Sequence, residues 1–207
     1  MMEELDLLKK DWKRNENSFN QISEVEIYKM LHRQSSSIVK WILIISILEV
    51  LLWTLISVVF NADEYFVKMH SEYLIEYFKY LNLFNYVIIA VFIYLFYKNY
   101  ASISTTKSTK HLMSDILKTR KTVKYYVWFN LAMMACSMVI GFILAFKINP
   151  EINKLIENEK ILIVSIILCV FALGLFLTIF WLFYRLIYGI LLRRLLYNYK
   201  ELKKIDL

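Results

Sequence analysis

Apolar and polar positions in this chain segregate on the scale of whole helices. Four long hydrophobic runs, residues 38–60, 81–98, 125–147 and 161–185, are separated by shorter charged stretches. A spanning helix needs about 20 mostly apolar residues to cross a hydrocarbon core about 30 Å thick. Backbone in lipid must satisfy its own N–H and C=O groups, so helices are the default solution. The pattern predicts an all-α integral membrane four-helix bundle with cytoplasmic amphipathic helical extensions, forming one membrane domain.

The intervening stretches are patterned too. In the leading segment, 1–37, Glu3 to Arg14 reads as a short amphipathic helix with Leu5, Leu8 and Trp12 on one face. Ser23 and Glu26 have the spacing of a capping box, and Ile22 with Ile27 that of a hydrophobic staple. No Gly or Pro follows before the next loop. One helix is therefore expected to enter the first run, with Ser35-Ser36-Ser37 as the place where it loosens. The loop 61–80 is acidic and aromatic, as suits an interfacial belt. Segment 99–124 opens with a Ser/Thr-rich stretch and then becomes amphipathic, with Leu112, Ile116 and Arg120 in register. In the loop 148–160, Asn149-Pro150-Glu151 is a helix start: an Asn cap, then Pro at the first helical position. Nothing after it predicts a strong break, so the fourth helix is expected to run from there past Arg185. It ends in a basic tail, 186–207, whose Leu191, Leu195, Tyr199 and Leu202 form an apolar stripe. Lipid, the other inner helices and a partner are all open to that stripe. Val39-Lys40-Trp41 and Val123-Lys124-Tyr125 lead into the first and third runs alike. These matches are too few to establish a repeat.

Charge decides orientation. Of the 25 basic residues, twenty lie in or at the edge of the leading segment, the middle segment or the tail, and five in or at the edge of the other two loops. Positive residues stay on the cytoplasmic side. Both termini and the middle segment are thus expected to face the cytoplasm. The net charge of +7 is concentrated beside the ends of the runs. Lys40, Lys121, Lys124, Arg185, Arg193 and Arg194 are the candidate contacts to anionic lipid headgroups of that leaflet, each worth about 1 kcal/mol. No stacking platform or helix-turn-helix accompanies them, which argues against nucleic acid. Membrane lipid, and a cytoplasmic or membrane protein, are the expected partners.

Within the runs Glu49 is the one acid. A charge at mid-membrane costs at least about 2.5–3.5 kcal/mol, so it should be protonated, paired or turned inward. Ser46, Asn130 and Thr178 fall at similar depths and complete a candidate buried polar cluster. Two readings stay open: a proton- or ligand-responsive site, and a neutral carboxyl that glues helices together. Small residues, Ala132, Cys136 and Gly141 on one run and Ser165, Cys169 and Ala172 on another, suggest a tight hairpin of the last two spans. The only histidines, His32, His70 and His111, lie in three separate polar segments, so no intramembrane iron or zinc site of usual composition is expected. Phosphate-cradling and nucleophile-elbow motifs are absent. The expectation is no enzyme and no cofactor.

Three strings carry a resemblance: Leu5-Asp6-Leu7-Leu8-Lys9-Lys10-Asp11-Trp12, Ser35-Ser36-Ser37-Ile38-Val39-Lys40-Trp41, and Leu117-Lys118-Thr119-Arg120-Lys121-Thr122-Val123-Lys124-Tyr125. Over most of its length the chain resembles a family of small uncharacterised bacterial membrane proteins, which implies an inner-membrane protein. Some members carry an automated carotenoid-oxygenase label. Those oxygenases hold iron through several histidines that this chain lacks, so the label is rejected here. A short cytoplasmic helix before a span also resembles membrane-anchored anti-sigma proteins, although the leading segment is short for their binding domain. Two functions are therefore expected. The first is a non-enzymatic regulatory or interaction module using its cytoplasmic helices. The second is a small transporter, or a sensor of protons or lipids, acting through Glu49.

Overall fold

With one proline and three glycines in 207 residues, little interrupts helical hydrogen bonding. The computed structural model describes residues 23–60, 63–68, 70–106 and 108–205, and these form six helices. They are α1 (Glu24–Val59), α2 (Asp63–Lys68), α3 (Tyr73–Thr105), α4 (Thr109–Ile148), α5 (Pro150–Ile156) and α6 (Glu159–Ile205). Helices α1, α3, α4 and α6 are each long and apolar enough to cross a membrane. The amphipathic stretch Glu3 to Arg14 and the staple residue Ile22 lie outside the described residues.

Helix α1 starts where the capping box places it. The Glu26 amide donates to Ser23 Oγ at 3.3 Å and the Ser23 amide to Glu26 Oε2 at 3.2 Å. The helix passes through the three serines without a break, because Ser35 is buried and accepts a bond from Asn198 Nδ2 of α6 at 3.1 Å. The Ser/Thr stretch after the second run is also helical to Thr105. Its hydroxyls fold back onto carbonyls of their own helix, as Thr105 and Thr106 do onto Ser102. The end of α3 is pinned by Ser102 donating to Asp115 Oδ2 at 2.6 Å and by Tyr28 donating to the Thr106 carbonyl at 3.2 Å. Partial burial raises the Tyr28 phenol above its ordinary value. The continuous helix expected from Pro150 onward is interrupted. Asn149 Oδ1 caps α5 by accepting from the Ile152 amide, and the helix then stops and restarts at Asn158, whose side chain accepts from the Lys160 amide at 3.1 Å. A second Asn cap outcompetes continuation.

The four long helices form a ring in the order α1, α3, α4, α6, each antiparallel to its neighbours, with α1 and α4 also meeting across the centre. Its basal end carries Glu24, Ile205, Thr106 and Ser108. Its distal end carries α2 and α5. The tightly packed core lies in the basal half. Buried positions recur at spacings of three, four or seven: Leu31, Ser35, Ile38, Ile42, Ser46 and Glu49 in α1, Leu112, Ile116, Thr119, Val123 and Tyr126 in α4, and Tyr184, Tyr188, Leu195, Asn198 and Leu202 in α6. This is the seam of a coiled-coil-like bundle, in which side chains of facing helices interdigitate. The stripe on the tail is thus packed on the other basal helices, with Leu191 and Tyr199 against the same core. Lys40 and Lys124 stand exposed beside fully buried Val39 and Val123. The distal half is packed more thinly. In the most apolar stretch of α6 no residue is buried by the other helices. Helices α4 and α6 are neighbours, yet a methyl group added at Gly141 or Gly174 would meet nothing within 4 Å, so these glycines do not mark a close approach.

Candidate functional site

The spacing that builds the basal seam carries it upward until it meets Glu49. Three tyrosines from two other helices converge on this carboxyl. Tyr126 of α4 donates to Oε2 at 2.9 Å, Tyr188 of α6 donates to Oε2 at 3.1 Å, and Tyr184 of α6 donates to Oε1. Tyr184 and Tyr188 reach the same group because residues four apart share a helix face. Glu49 is 8% exposed, and each tyrosine is 2% exposed or less. Helix α3 completes the layer with Phe92 and Phe96, whose rings meet the Tyr126 ring edge-on with centroids 5.5 and 5.4 Å apart. Such edge contacts fix the ring and so aim its hydroxyl. All four long helices therefore contribute to one layer.

Among the described residues the layer has no cation. Of the two ion pairs among the described residues, Lys118 with Asp115 and Lys204 with Glu201, neither involves Glu49. Arg185, the nearest base in sequence to Tyr184, is exposed and stacks its guanidinium 4.9 Å from the Trp181 ring centroid.

On its distal side Glu49 forms part of the wall of a cavity of about 330 Å³ between α1, α3 and α4. The lining is unusually polar for an apolar bundle: Ser57, Asn82, Asn85, Tyr86, Asn130 and Ser137, with Trp53 and Phe176 as aromatic walls and three methionines on α4. Asn85 Oδ1 is buried and has no hydrogen-bond partner among the described residues. Toward the outer surface, between α1 and α6, Glu49 and Trp53 also border an apolar groove of about 470 Å³.

Of the polar cluster expected from depth alone, the fold brings Glu49 and Asn130 to one cavity. Asn130 gives its amide hydrogen to the Tyr126 carbonyl at 2.9 Å. Ser46 is buried one turn below Glu49, with its hydroxyl on the Leu43 carbonyl at 2.8 Å. Thr178 is exposed, bonds back to the Gly174 carbonyl, and borders a separate groove between α4 and α6. Counting residues gives depth but not azimuth, and azimuth separates Thr178 from the rest. The six basic residues expected at lipid headgroups are Lys40, Lys121, Lys124, Arg185, Arg193 and Arg194. All stand exposed on the basal half or at its upper edge. The three tyrosines escaped the sequence reading because, at the ends of apolar runs, they resemble belt residues. The i, i+4 pair Tyr184 and Tyr188 was the available signal. Among the described residues no three His, Cys, Asp or Glu side chains gather as a metal site would require.

The arrangement is that of an all-helical bundle with membrane-spanning dimensions and one carboxyl centre. The chain belongs to the family described as a domain of unknown function, DUF8845, whose model matches residues 25–207. Neither the curated proteins nor the solved structures include a match.

Proposed function

We propose that this chain is a non-enzymatic, multi-pass membrane protein whose working centre is Glu49, acting as a small proton-coupled transporter or proton-responsive sensor. Its basal end faces the cytoplasm and its distal cavity faces outward, as the distribution of basic residues favours. The observation that carries the reading is a buried carboxyl held by three hydroxyl donors, without a protein cation, in the wall of a polar cavity. An uncompensated charge at such depth costs at least about 2.5–3.5 kcal/mol. The carboxyl must therefore be neutralised by a proton or by a cation from the cavity. A group with two such occupants exchanges one for the other. Pure helix glue would require only the tyrosines, and leaves Asn82, Asn85 and Ser137 without a reason to face a void.

The interaction-module reading draws less support. The basal apolar stripes that would have served a partner are engaged with each other, as Leu112, Ile116, Leu195 and Leu202 are fully buried.

The titratable groups facing Glu49 are Tyr126 from α4 and Tyr184 and Tyr188 from α6, with Tyr86 of α3 across the cavity. A potentiometric comparison of the purified protein with Glu49→Gln tests the proposal. The wild type should take up one additional proton per chain on acidification. Superimposable titration curves would remove Glu49 as a proton site and with it this function.

A further inference from the structure

Two spaces of opposite character meet at one residue pair. Glu49 and Trp53 line both the polar cavity and the apolar groove. The groove's remaining walls are apolar apart from the two tyrosines that hold the carboxyl, and include Leu48, Leu52, Phe180 and Phe183. Leu48, Leu52 and Phe183 are exposed on the outer face of the bundle, so the groove opens sideways, toward lipid in a spanning chain. Among the described residues Glu49 is the sole charged one lining either space.

From this we infer that the cation exchanged at Glu49 is an organic ammonium with an apolar body, which enters from the bilayer through the groove between α1 and α6. The inference rests on the exchange proposed above and names its second occupant. Charge complementarity selects a cation, since the one ionisable acid faces no basic side chain. The surroundings select an organic one. A hard metal ion wants a shell of about six or more oxygen ligands, whereas one flank of Glu49 is hydrocarbon and the cavity carries thioethers and aromatic rings. An ammonium needs few acceptors, and the buried Asn85 oxygen, unpartnered among the described residues, offers one in the wall of the same cavity as the carboxylate. The rings of Trp53, Tyr86 and Phe176 supply faces that attract a desolvated cation. The cavity volume of about 330 Å³ falls at the small end of ligand pockets, which suits an arylalkylamine. The exchange balances simply. A protonated amine displaces the proton of the neutral carboxyl, one N–H···O contact to the carboxylate forms, and one proton leaves for water.

The test uses the full chain in lipid nanodiscs with radiolabelled phenethylamine, its neutral analogue 2-phenylethanol, and sodium chloride as competitor. Saturable phenethylamine binding is expected, with release of about one proton per amine in weak buffer. Affinity should fall at least tenfold in both Glu49→Gln and Trp53→Ala, each melting near the wild-type temperature. Sodium should not displace the amine. The inference is overturned if the alcohol binds as tightly as the amine, if sodium displaces it, or if binding survives Glu49→Gln. Should no amine bind while the additional Glu49-dependent proton is still titrated, the amine assignment falls and the proton site stands. Should neither be seen, both fall.

Discussion

Tyr126 and Glu49 are 77 positions apart in sequence, and their side-chain oxygens lie 2.9 Å apart in the fold. The contact runs across the centre of the ring, from α4 to α1, where the two helices otherwise touch little. It exists only when the two hairpins are docked. A double-mutant cycle between Tyr126→Phe and Glu49→Gln, read by unfolding in mixed micelles, should give a coupling of about 0.6 kcal/mol and no more than about 1.7. Strict additivity would mean that the bond does not contribute.

Replacing Glu49 should separate shape from chemistry. Glu49→Gln keeps an acceptor oxygen and the same volume, and should melt close to the wild type. Glu49→Ala strands three buried hydroxyls, and a buried donor without a partner costs about 1–3 kcal/mol. Thermal melts in detergent should rank Ala well below Gln. Equal melting temperatures would show that the tyrosines find water instead.

The basal seam should dominate stability. Leu195 is fully buried, while Leu186 on the same helix is 64% exposed. Leu195→Ala should cost about 2–5 kcal/mol, as other large-to-small core changes do. Leu186→Ala should leave the melting temperature nearly unchanged. A reversed order would place the core elsewhere.

Orientation is testable with paired reporters. Tags following the tail and inserted beside Thr106 should be shielded in intact cells. Cysteines introduced near His70 and Glu157 should react with an impermeant maleimide in a background lacking Cys136 and Cys169. Labelling from the opposite side would invert the assignment of cavity and cytoplasm.

Much of the architecture was legible in the sequence. The four runs, the Ser23–Glu26 cap and the Leu112–Ile116 register follow from length and periodicity, which survive in a linear string. Glu49 stands out because a single acid in an apolar run is a sharp contrast. What surrounds it was less visible. With 15 tyrosines in the chain, Tyr126, Tyr184 and Tyr188 offer no such contrast. Their role depends on which way each helix faces. Thr178 shares a depth with Glu49 and faces elsewhere, for the same reason. Asn158 was passed over because a helix restart depends on a local competition between capping and continuation. The serines near Ser35 read as a weak point because their partner, Asn198, lies 163 residues away.

The unequal packing of the two halves makes the bundle a pair of tongs. Interlocked side chains clamp the handles below Ile42 and Tyr126, while the jaws above meet more sparsely, as where the Trp53 and Phe180 rings lie 5.6 Å apart. A molecule settling beside Glu49 sits just past the pivot, where the groove between α1 and α6 begins. Opening and closing would then leave the handles undisturbed, so amide exchange should quicken on the jaws long before it reaches Leu195.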